Sequence, residues 1–168
     1  MIGYLGEIIN GQDDAAMAII DAALSGTSGR LFIELREKQG LAYSVYSFRR
    51  PGLETGMFGV YLACDPEKLR IAKESIFNEL NKMRDEGLTN RELEDAKRYI
   101  TGKDAINSQT NQSGAMRMAL DEIYGLGYEH KKEYIKRIQA VTVEDILRAA
   151  KRIIHPDHYV LVTLGPGS

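Results

Sequence analysis

The side chains with the most chemistry to offer flank one corner, from Gly26 to Phe48 (GTSGRLFIELREKQGLAYSVYSF). On a wheel of 3.6 residues per turn, Leu31, Phe32 and Leu35 form an apolar arc, widened by Ile33. Glu34, Glu37 and Lys38 fall opposite, whereas Arg36 projects between Phe32 and Ile33, inside the arc. A guanidinium there needs a carboxylate, backbone carbonyls or a ligand, because an unpaired buried charge is too costly. Past the turn at Gly40, Tyr43 opens a strand with a hydroxyl that both donates and accepts. On the residues alone, a structural ion pair for Arg36 is the plainer reading.

Other chemistries lack their residues. The three histidines are His130, His155 and His158, and HPDH (155–158) falls where a helix is ending, with no helical pair and no adjacent Glu. It reads as a turn, and His130 as a solvated side chain, so no catalytic zinc site is expected in this chain. There is no GxSxG elbow, and Cys64 has no histidine near it in sequence. SGTSG (25–29) lies between helices without a Walker lysine, a weak phosphate motif. The nine tyrosines against four phenylalanines suit half-exposed strands as well as a binding surface.

The elements that must position the corner follow in chain order. Ile2–Ile9 reads as a strand and Ala15–Leu24 as a buried helix, with Asp13 or Asp14 as its cap. Arg30–Gln39 is a short helix closed by Gly40, with Leu41 folding back on Leu35. Ala42–Arg50 and Gly56–Cys64 form a hairpin across PGLETG. Phe58, Val60 and Leu62 share one face of the second strand, and Gly59, Tyr61 and Ala63 the other, small enough for another backbone to approach. Tyr43, Ser47 and Arg49 share what reads as the wetter face of the first. Pro66 opens a helix to Glu86 with Leu69, Ala72, Ile76, Leu80 and Met83 inward. Thr89 and Glu92 form a capping box for a helix carrying Leu93, Ala96, Ile100 and Ala105, which the polar stretch Gln109–Ser113 breaks. Helices over Ala115–Tyr124, from Glu129 to Gln139, and after Thr142 (Ile146, Leu147, Ala150 and Ile153 inward) precede a strand at Tyr159–Leu164. The fold class is α+β, an antiparallel or mixed sheet of about four strands with several helices on one face.

With 168 residues, the chain fits a single domain with its own core. A net charge of −2 gives no nucleic-acid or anionic-lipid footprint, and one cysteine leaves the redox compartment open. No apolar run is long enough to span a membrane and no signal peptide is evident, so localisation is undetermined.

The frame SGRLFIELREKQGLAYSVYSF, continued by PGLETGMFGVYLACDPEK, TNRELEDAKRYITG, DEIYGLG and VTVEDILRAAKRIIHPDHYVLVTLGP, resembles the pitrilysin and insulinase type of zinc metallopeptidase, which includes the mitochondrial processing peptidases. It looks most like the last repeat of these enzymes, the half facing the zinc. The resemblance implies an α+β repeat over residues 1–168, non-catalytic and excised from a longer chain. Zinc would belong to the parent enzyme and be held by N-terminal repeats or a separate catalytic subunit. Arg36 and Tyr43 match the arginine and tyrosine that face the zinc across a closed chamber, anchoring a peptide and supporting the oxyanion. An exposed strand edge would pair with the peptide substrate, and the isolated repeat would expose faces prone to self-association. The rival readings are a non-peptidase scaffold subunit of a larger complex and a stand-alone peptide-binding module.

Overall fold

Side-chain alternation sets the sheet in the computed structural model, which describes residues 1–26 and 28–165. Thr27 of the glycine corner and Pro166 of the C-terminal pattern lie outside the described residues. β1 (Ile2–Gly6), β2 (Ser44–Arg50), β3 (Gly56–Ala63) and β4 (Val160–Leu161) form one sheet in the order β2-β3-β1-β4. Every pairing is antiparallel, with Ile2 opposite Val60, Tyr4 opposite Phe58 and Ser47 opposite Val60. Ile2, Tyr4, Phe58 and Val60 are buried on the inner face, while Leu5, Tyr46, Met57 and Tyr61 stay exposed on the outer one.

Helices cover only the inner face. α1 (Asp14–Leu24), built of Ala, Ile and Met, is buried along most of its length against β2, α3 (Asn90–Asn107), α5 (His130–Ala140) and α6 (Val143–Ile153). α2 (Leu69–Glu86) packs on α6 through a stripe of Ala72, Ile76, Leu80 and Met83. Both α3 and α6 open on capping boxes, Thr89 with Glu92 and Thr142 with Asp145, so two orphan backbone donors are satisfied at each start. The α+β class and the four-strand sheet are as the sequence indicates.

Several boundaries and faces differ from expectation. β1 stops at Gly6, where a Cβ would lie 2.6 Å from the Met57 carbonyl carbon, and Ile8 makes only an isolated bridge to Gly52. β4 covers only two residues, and next to it Met1 pairs with Val162. Thr110 accepts a bond from the Ser113 N–H at 3.1 Å, so α4 (Asn111–Ile123) starts inside the stretch expected to be a break. Leu69 and Ala105 are exposed rather than inward. Pro66–Lys68 winds as a 3-10 turn and leaves Leu69 lining a cleft, and α3 outruns the core before Ala105. Asp13 caps nothing with its side chain. It is buried and accepts from Arg148 Nη2 at 2.9 Å and Arg152 Nε at 2.7 Å, a stronger charge-assisted use of the carboxylate.

Candidate functional site

Gly29 starts the corner because it must. A Cβ there would lie 2.2 Å from the Ser25 carbonyl oxygen, and the Ile33 N–H donates to the Gly29 carbonyl at 3.1 Å. Leu31 and Leu35 are then fully buried and anchor the segment against the core. Between them the chain leaves α geometry: Phe32–Lys38 is a π-helix, with the Gln39 N–H bonded to the Glu34 carbonyl at 3.2 Å. Gly40 closes it at φ +58°, and the Leu41 N–H reaches back to the Leu35 carbonyl at 2.8 Å.

Arg36 follows Phe32 by four residues and lies over its ring, exposed rather than buried in the apolar arc. Its guanidinium lies 4.9 Å from the Phe32 ring centroid, a cation–π contact. Arg36 and Ile33 are both exposed, so the arc is narrower than expected and no buried charge needs a partner. Arg36 makes no ion pair among the described residues, and its donors face solvent. Lys38 pairs with Glu34 on the same segment.

Tyr43 stands on the far side of Gly40, just before β2, and its backbone N–H donates to the Ala63 carbonyl at 3.0 Å. Its side chain is 84% exposed. It lines an open cleft of about 310 Å³ with Gly40, Ala63, Cys64, Asp65 and Lys68. Lys68 Nζ donates to the Gly40 carbonyl at 3.0 Å, which ties the turn to α2 and leaves a cation at the cleft wall. No hydrogen bond, ion pair or shared cavity joins Arg36 to Tyr43 among the described residues. They are two exposed polar groups on one glycine-hinged corner, able to hold separate points of a ligand. Burial and the neighbouring Asp65 push the half-exposed Cys64 thiol up, away from thiolate chemistry.

The face shared with Tyr43 further along β2 is not wet. Ser47 is buried and Arg49 half-buried, both under α1. Ser47 Oγ donates to Asp21 Oδ1 at 2.6 Å, while Arg49 pairs with Asp14 and donates from Nη2 to Tyr134 Oη at 3.0 Å. Burial nevertheless pushes the Asp21 carboxyl above the usual carboxylate range. This polar seam was missed; its signal is the carboxylates Asp14 and Asp21, seven residues apart on one side of an otherwise apolar helix. On the outer face, a Cβ on Gly59 would meet the Phe48 ring at 2.7 Å, so an aromatic ring fills the space expected to admit another backbone.

HPDH is a turn, as its sequence suggests. The His155 and His158 rings stack at 4.2 Å and the Asp157 N–H points at His155 Nδ1. Among the described residues, no group of three or more His, Cys, Asp or Glu side chains is placed to hold a metal ion. No helix among them is long and apolar enough to cross a membrane.

A family model described as the peptidase M16 inactive domain matches residues 1–100. The chain is 31% identical over 140 residues to an uncharacterized zinc protease of Streptomyces coelicolor, covering 83% of this chain and 30% of that protein. It is 27% identical over 166 residues to the uncharacterized zinc protease YmxG of Bacillus subtilis, covering 98% of this chain and 40% of the relative. A peptidase M16 inactive domain from Pseudomonas fluorescens superposes with a TM-score of 0.78 at 27% identity, over 94% of this chain and 38% of the other. The chain thus spans well under half the length of these relatives.

Proposed function

Because this chain belongs to the peptidase M16 inactive-domain family, we propose that it is the substrate-binding, non-zinc half of a zinc metalloendopeptidase. It works with zinc-bearing repeats, on the same chain or a separate subunit, and the two halves enclose a peptide between them. Residues 1–168 form a single non-catalytic C-terminal repeat. Zinc activates the attacking water when bound by its own unit; this chain's residues hold the peptide.

The observation that carries the reading is the state of Arg36. A guanidinium stacked on Phe32, exposed and paired with no carboxylate among the described residues, is oriented and available. It anchors a backbone carbonyl or terminal carboxylate through charge-assisted hydrogen bonds. Tyr43, exposed across the Gly40 turn, donates its hydroxyl to the scissile carbonyl as that oxygen gains charge. Tyr43→Phe in the full enzyme tests this: kcat falls about tenfold or more with KM little changed. An unchanged kcat removes Tyr43 from the chemistry.

A further inference from the structure

The two edges of the sheet are finished differently. On β2, Ser47 turns its backbone outward. Its N–H donates to Ser25 Oγ at 2.8 Å, and that hydroxyl donates back to the Ser47 carbonyl at 2.8 Å. One side chain just after α1 thus fills the slot a neighbouring strand would take, and Arg49 and Arg50 follow with charge.

Among the described residues, β4 has no such device. Met1 and Val162 exchange both backbone hydrogen bonds, at 2.7 and 2.9 Å. Antiparallel alternation then makes Ile2 opposite Leu161 a pair without mutual hydrogen bonds, so the Leu161 N–H and C=O point away from β1. From Tyr159 to Leu164 the run is YVLVTL, with no charge and no proline, and Val160 and Leu164 are 65% and 94% exposed.

Outward backbone donors and acceptors on an uncharged apolar edge are matched by one kind of ligand, another extended strand. A strand present only during substrate turnover would leave this edge bare, and open to aggregation, whenever the site was empty. β2 shows how this fold protects an edge that must stay free. We infer that β4 is permanently extended by an uncharged strand from the zinc-bearing unit. The inference rests on the functional reading above, which requires that unit. The relatives, of which this chain covers 30–40%, have ample further chain to supply the strand.

Hydrogen exchange on the complete, substrate-free enzyme tests it. Since β1 does not bond the Leu161 amide, its protection must come from a further strand. The expected result is exchange slowed about a hundredfold or more from the unprotected rate, independent of protein concentration. Exchange at the unprotected rate overturns the inference. So does protection that arises only with added peptide, which makes the strand substrate, or only at high concentration, which makes it a second copy. Leu161→Pro removes an N–H that β1 does not use; the Thr163 amide should then exchange about tenfold faster, and unchanged protection contradicts the inference. Turnover of Arg36→Ala reports separately. Lost turnover with an unprotected Leu161 retains the functional reading without the strand, and normal turnover with a protected Leu161 does the reverse.

Discussion

Arg30 lays a two-pronged bond on Glu92, Nε to Oε1 at 2.7 Å and Nη2 to Oε2 at 2.9 Å. The same Glu92 Oε2 accepts from the Thr89 N–H at 2.9 Å and closes the capping box of α3. Arg30 Nη2 also reaches the Gly87 carbonyl at 3.0 Å. The helix that carries Arg36 is therefore tied at its start to the corner between α2 and α3, with Leu31 and Leu35 buried beneath it.

That tie is pH-dependent. The Arg30 guanidinium, with the Thr89 bonds behind it, holds the Glu92 carboxyl down at about 2, against an ordinary value of 4.5. A depressed folded-state pKa adds stability that is complete above the ordinary value and is lost as pH falls through the folded one. Urea unfolding should weaken from pH 4.5 towards about 2, and Glu92→Gln should flatten that part of the profile. A Glu92→Gln variant as steep as wild type contradicts the assignment.

Ser25→Ala leaves the Ser47 N–H and carbonyl without their partner on a buried segment. The expected loss is about 1–3 kcal/mol in equilibrium denaturation. A change below about 0.5 kcal/mol would mean that water replaces the hydroxyl at no cost.

Gly40 and Gly29 frame the site for different reasons. A Cβ on Gly40 meets nothing within 4 Å, so Gly40→Ala costs only the backbone strain of φ +58°, about 1–2 kcal/mol. A Cβ on Gly29 runs into the Ser25 carbonyl at 2.2 Å. Thermal melts should place Gly29→Ala well below Gly40→Ala, and the reverse order would contradict the packing described for the corner.

The fold was largely legible because its signals are local. Thr89 with Glu92, Thr142, Gly40 and the alternation of Phe58 and Val60 all read directly from short stretches. What was misread depends on distant partners. Asp13 looks like a cap until Arg148 and Arg152, more than 130 residues away, take its oxygens. Ser47 and Arg49 look solvated until α1 supplies Asp21 and Asp14. Arg36 and Tyr43 mark the corner in the sequence, but a 3.6-residue wheel does not tell that Ile33 and Arg36 stay exposed, with the guanidinium over Phe32.

In the proposed function, Arg36 is the residue that grips the peptide. The most direct measurement is peptide turnover by the complete enzyme carrying Arg36→Ala, with bound zinc determined on the same sample. Turnover should fall about tenfold or more, equivalent to about 1.4 kcal/mol of lost transition-state binding, while zinc content stays at the wild-type level. Wild-type turnover at full zinc occupancy would contradict the account.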